Sequence, residues 1–104
     1  MIVVNTENIP GREYDVIGLV TGCCIMCKNI GKDIGASFRN MVGGEMQAYT
    51  ELMVEAKDKA IGYMVGQAQQ YGADAVVNVR FSSTTIVTGG AEILAAGTAV
   101  KFRN

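Results

Sequence analysis

"EMQAYTELMVEAKDKAIGYMVGQAQQYGAD", residues 45–74, carries the periodicity that decides the fold. Met53, Ala56, Ala60, Met64, Ala68 and Tyr71 recur in steps of three or four, which draws one apolar stripe along a helix. The spacing predicts a helix over 45–71, about 40 Å long. Glu55 and Lys59 stand at the favourable i, i+4 separation, and Gly72 sits where a left-handed C-terminal cap belongs. The stripe is rich in alanine, so the helix must lie close to whatever it packs on. Gly62 and Gly66 weaken such a helix by roughly 1 kcal/mol each. Their presence points to close contact elsewhere, including contact with another subunit.

Working outward, "MIVVN" reads as a short strand and "NIPGRE" as a turn around Pro10. "YDVIGLVT" (14–21) alternates as a strand, apolar on both faces in its second half, and Gly18 predicts a bulge or a close backbone approach. The cysteine stretch follows as the junction into "KNIGKDIGASFRNMV" (28–42). There Ile30, Ile34, Phe38, Met41 and Val42 predict a second helix, broken by Gly43-Gly44. Residues 73–87 read as a strand, with Val77, Val79 and Phe81 on one face and Asn78, Arg80 and Ser82 on the other. A turn at 88–90 leads to a return strand over 91–102, with Leu94, Ala96, Thr98, Val100 and Phe102 on one face. Pairing these two strands brings their apolar faces together under the long helix. The expected fold is α+β, a two-layer sandwich: a small antiparallel sheet with helices on one face, in a single domain over 1–104.

Of the 104 residues, 49% are apolar and 18% charged, against about 25% charged in an average soluble protein. A small chain with so little polar cover is expected to hide surface against copies of itself. The net charge is −1 and no Lys/Arg run is present, so no nucleic-acid partner is expected. Lys28, Lys32 and Arg39 share one side of the second helix and read as a solvated face rather than an anion site. No stretch has the form of a secretory signal or a membrane span, so no membrane partner is expected and the cytoplasm is the expected compartment. The chain has no histidine, which excludes Ser/His/Asp and Cys/His catalytic sets, and no enzyme activity is expected. Glu51, Glu55 and Asp58 share a helix face that reads as solvated rather than cation-binding. Met41, Met46, Met53 and Met64 read as core rather than as copper thioethers. "GKD" (31–33) lacks the rest of a phosphate loop.

The chemistry-bearing residues are Cys23, Cys24 and Cys27, all within "TGCCIMCKNIGKD" (21–33). In a reducing compartment they are not a disulfide framework. Cys24-x-x-Cys27 has the spacing of half a zinc knuckle, with Cys23 as a third thiolate. A structural zinc needs four ligands, so the fourth has to come from water, a carboxylate or another subunit. Soft thiolates favour Zn(II), Cu(I) or a heavier ion. A redox pair is the second reading, since a cysteine at a helix N-terminus is activated. The third is packing: free cysteine behaves as a small apolar residue, and Ile25 and Met26 are its neighbours.

Five phrases together carry a family resemblance: "VTG" (20–22), "NIGKDIGASFRNMVGG" (29–44), "AYTELMVEAKDKAI" (48–61), "GADAVVNVRF" (72–81) and "GTAV" (97–100). In these, and in element order, the chain resembles the YbjQ-like family of small bacterial and archaeal proteins. The resemblance implies a two-layer subunit of dodecin-like fold and a homopentameric ring in which neighbours' strands and helices pack together. The family is labelled heavy-metal-binding and has no established catalytic residues. Its members usually carry a Gly-Glu step after the strand; Cys23 stands in the Glu place here, so a cysteine site belongs to this chain and not to the shared pattern. The expected function is a homo-oligomeric soft-metal-binding protein using Cys23, Cys24 and Cys27 with Zn or Cu. The alternative is a small-ligand-binding or scaffold module between subunits, with no metal.

Overall fold

The computed structural model describes residues 1–27, 44–84 and 90–103. The second helix expected over 28–42, its Lys28/Lys32/Arg39 face, and most of the turn at 88–90 lie outside the described residues. The elements in chain order are β1 (Ile2–Val3), β2 (Tyr14–Cys27), α1 (Gly44–Gln70), β3 (Ala75–Thr84) and β4 (Gly90–Phe102). The sheet order is β1-β3-β4-β2.

The architecture is α+β with one helix among the described residues, and the sheet is mixed rather than purely antiparallel. β4 pairs antiparallel with both β2 and β3, while β1 pairs parallel with β3. β2 and β3 therefore run parallel to each other with β4 between them, and α1 is the crossover that joins them. A crossover of this length returns the chain to the start of the sheet, which a hairpin cannot do.

The helix stripe forms as its spacing requires. Ala56, Ala60, Met64 and Ala68 are fully buried, and Met53 packs against them. Tyr71 is exposed, because the helix ends at Gln70 and Tyr71 is itself the cap residue of a Schellman motif. Gly72 adopts φ +74°, its N–H donates to the Gln69 carbonyl at 3.0 Å, and the Ala73 N–H donates to the Ala68 carbonyl at 3.0 Å. Ala73 then packs against the same core.

The face of β4 beneath the helix is the opposite of the one expected. Ile93, Ala95 and Ala99 are the buried residues that join the helix core. Leu94, Ala96, Thr98, Val100 and Phe102 occupy the outer face. An alanine-lined helix seats close to the sheet, so it takes the strand face with the smaller side chains. Val100 and Phe102 are covered from outside by Val4, Ile9 and Tyr14 of the N-terminal segment, with Ala75 and Val77. The Tyr14 hydroxyl donates to the Glu7 carbonyl and fixes that segment in place.

The expected alternation along β3 also breaks. Val77 belongs to the outer cluster and Val79 to the helix-side core. The register passes from Val77↔Thr98 to Arg80↔Ala96, so Asn78 and Val79 together oppose Gly97. This is a β-bulge, with Asn78 at φ +55°. The Asn78 N–H donates to the Thr6 carbonyl at 2.8 Å, and the Val79 N–H donates to the Val4 carbonyl at 3.1 Å. Gly97 makes room for the bulge: a Cβ there would sit 2.6 Å from Val76 Cγ1 and 3.1 Å from Val79 Cγ2. A second bulge falls between Val16 and Gly18, where the sequence placed one.

Candidate functional site

β2 continues through the cysteine stretch to Cys27, matching the length of β4. Its register runs Cys23↔Leu94, Cys24↔Ile93 and Cys27↔Gly90. Successive residues of a strand point to opposite faces. Cys24 lies under the helix, 7% exposed, within the core that holds Ala60 and Met64. Cys23 is exposed on the outer face. The two adjacent thiols thus stand on opposite sides of the sheet.

Cys23 and Cys27 are four residues apart, which is about 13 Å along an extended strand. A C-x-x-C metal knuckle needs a tight turn, since two sulfurs on one zinc lie only about 2.3 Å from the ion. Extended backbone over 14–27 supplies no such turn. Cys23 and Cys24, on opposite faces, do not converge on one ion within a subunit, and among the described residues no three Cys, Asp or Glu groups converge on a metal-sized point; the Cys27 side chain lies outside the described residues. Cys23 and Cys24 lie inside a strand and not at a helix N-terminus, so neither has the activation that such a terminus supplies.

The neighbour that Cys23 does have is Glu92, one diagonal step across on β4. The thiol donates weakly to Glu92 Oε1 over 3.9 Å. The signal for Glu92 was its place as the one charge in "AEILAAGTAV" (91–100). Along β2 the outer face is apolar: Val16 is 66% exposed, Leu19 71% and Ile25 60%. All three belong to β2, which is also an edge strand. One edge donor is occupied, since the Thr21 N–H donates to Gln67 Oε1 of the helix at 2.8 Å.

The helix approaches the sheet most closely at Gly22. A Cβ there would collide with the Ala60 carbonyl and sit 2.6 Å from the Met64 nitrogen. This contact fixes β2 beneath α1 and sets the faces on which Cys23 and Cys24 appear. By contrast, a Cβ at Gly62 or Gly66 meets nothing within 4 Å among the described residues. The acidic helix face is solvated as expected. Lys59 pairs with Glu55 at 3.6 Å and Lys57 with Asp58 at 3.2 Å, with every partner well exposed, and such pairs contribute little. No helix among the described residues is long and apolar enough to cross a membrane.

The family model described as "Putative heavy-metal-binding" matches residues 1–103. A UPF0145 protein of Thermosipho africanus is 53% identical over 104 residues, covering 99% of this chain and 96% of that protein. A UPF0145 protein of Vibrio parahaemolyticus is 53% identical over 103 residues, covering 98% of each. The crystal structure of a protein of unknown function from Pediococcus pentosaceus, assigned to the DUF74 family, superposes with a TM-score of 0.67. That likeness covers 99% of this chain and 98% of the other at 14% identity, and it speaks for the fold alone. With a family model spanning nearly every residue and relatives at half identity over their whole length, the chain belongs to the YbjQ-like, UPF0145 family.

Proposed function

We propose that the protein works as a homo-oligomeric ring, five copies by the family resemblance, that binds a soft metal ion rather than transforming a substrate. The observation that carries this reading is the outer face of β2. Val16, Leu19 and Ile25 are largely bare on an edge strand, and sheets rarely leave such an edge unpartnered. The elongated subunit supports it. Its extents are 56 × 23 × 16 Å and its radius of gyration is 17.0 Å, against about 13 Å for a compact chain of this length.

Assembly also supplies what one subunit lacks for metal. Each copy offers Cys23 beside Glu92 on the outer face, and copies brought together there contribute a thiolate and a carboxylate apiece. Such a donor set suits Zn(II), or Cu(I) where thiolates dominate. A reducing cytoplasm keeps the thiols free for this role.

Analytical ultracentrifugation tests the assembly. The wild type is expected to sediment as a closed oligomer and Leu19→Glu as a folded single subunit. A wild type that is monomeric and folded at micromolar concentration refutes it. Zn(II) or Cu(I) titration tests the metal: Cys23→Ser is expected to abolish uptake and Cys24→Ser to leave it intact. Unchanged uptake by Cys23→Ser removes this site.

A further inference from the structure

The helix reaches down to the open edge of β2 at the middle of that strand. In an antiparallel ladder alternate residues turn their N–H and C=O groups away from the paired strand. β2 lies at the end of the sheet, paired with β4, so its outward groups are a template on which a further strand could build. Thr21 is one of the outward residues, and Leu19 and Cys23 are the next on either side. The Thr21 N–H is already used, because it donates to Gln67 Oε1 at 2.8 Å. That is the separation at which the carbonyl of a neighbouring strand would stand.

The position of Gln67 is built into the fold. Gly22 lets the helix backbone at Ala60 and Met64 come down onto β2, and Gln67 follows Met64 by three residues, about one turn. Tyr63, four residues before Gln67 and so on the same side of the helix, has its Cβ 3.0 Å from where a Cβ at Gly22 would sit. This side of the helix therefore lies over β2, and Gln67 reaches from it to the edge. The bulge between Val16 and Gly18 breaks the regular spacing of the same edge nearer its start. Without such devices a strand of 14 residues that carries bare Leu19 and Ile25 is a hazard for open-ended pairing.

We infer that the Gln67–Thr21 bond is an autoinhibitory contact. The Gln67 side-chain oxygen takes the place of a further strand's carbonyl and keeps copies of this chain from extending the sheet through β2. A strand added there, about 4.8 Å from β2, has first to displace the Gln67 amide. Association on the outer face of β2 stays open, because the contact lies at the edge and not on that face. The inference goes beyond the ring and metal readings and needs neither, since it concerns what the β2 edge excludes.

The test compares full-length Gln67→Ala, Gln67→Glu and Gln70→Ala chains with the wild type under identical conditions. Gln67→Glu keeps an oxygen acceptor, and Gln70, exposed in the last turn of the same helix, is the control. Amide hydrogen exchange, read by NMR on isotope-labelled protein, is expected to speed at Thr21 by about fivefold or more in Gln67→Ala and to hold its wild-type rate in the other two. Sedimentation and thioflavin T fluorescence are expected to show open-ended, strand-rich assembly in Gln67→Ala alone. Adding Thr21→Pro, which removes the donor and obstructs ladder pairing, is expected to suppress that assembly, whereas assembly from a loosened fold would persist. An unchanged Thr21 rate in Gln67→Ala, no assembly beyond that of the wild type, or assembly undiminished by Thr21→Pro overturns the assignment.

Discussion

Replacing Gly22 with alanine probes the contact on which the whole arrangement rests. The added methyl would sit 2.6 Å from the Met64 nitrogen and 3.0 Å from the Tyr63 Cβ, and would overlap the Ala60 carbonyl oxygen. The two nearest of these atoms are helix backbone, so no rotamer change relieves the clash. Restoring an ordinary separation of about 3.5 Å from the Ala60 oxygen requires lifting the helix by about 1.4 Å. A gap of that width forfeits at least a quarter to a half of each dispersion contact along the interface. The contacts at risk are those of Ala56, Ala60, Met64 and Ala68 with Val20, Cys24, Ile93 and Ala95. Overpacking of this kind costs up to about 3 kcal/mol, a large share of the 5–15 kcal/mol that holds a typical domain folded. For a chain of this size that corresponds to a melting temperature lower by about 12–24 °C. The assay is thermal and urea unfolding by circular dichroism at one fixed protein concentration, since assembly adds to apparent stability. Thr21→Val, one residue away on the opposite face, serves as the control and is expected within about 0.5 kcal/mol of wild type. If Gly22→Ala melts with the wild type, the helix does not sit where its closeness to β2 requires, and the assignment of Cys24 to the buried face falls with it.

Three further outcomes follow from the same geometry. Gly97→Ala is expected to destabilise by about 1–3 kcal/mol, and Val76→Ala, which removes the Cγ1 lying 2.6 Å from the new methyl, is expected to recover part of that loss in a double-mutant cycle. Strict additivity in urea unfolding would show that the two do not meet. Gly72→Ala forces a side chain into the left-handed cap and is expected to cost about 1–2 kcal/mol, with Gly72→Asn losing less; equal stability of all three would deny the cap. Finally, thiol labelling of the Leu19→Glu single subunit is expected to modify Cys23 quickly and Cys24 only as the fold opens, read by mass spectrometry of single-cysteine variants. Equal rates at the two positions would contradict their placement on opposite faces.

The helix stripe was legible in the sequence because burial on one side leaves a period that nothing else imitates. The cap at Gly72 and the bulge beside Gly18 were legible for a similar reason, since glycine marks where the backbone departs from the ordinary. What resisted reading was the choice between faces. On β4 both faces are apolar, and the larger residues invited the wrong choice. Which face goes under is settled by how closely an alanine helix can approach, a property of the pair rather than of the strand. The bulge at Asn78 was hidden because its left-handed turn is held by the Thr6 carbonyl, far away in sequence. The cysteines read as a junction because a metal motif was sought in their spacing. Gly22 held the better clue, since a glycine inside a strand signals something pressed against it. Glu92 drew no notice until the register of β2 against β4 set it diagonally from Cys23.

Where main chain rests directly on main chain, as at Gly22, there are no intervening side chains to shift and take up slack. Helix and edge strand are then coupled as a stiff lever. A force or a partner that tilts one end of β2 swings α1 with it, so events at the rim of the sheet register along the full length of the helix.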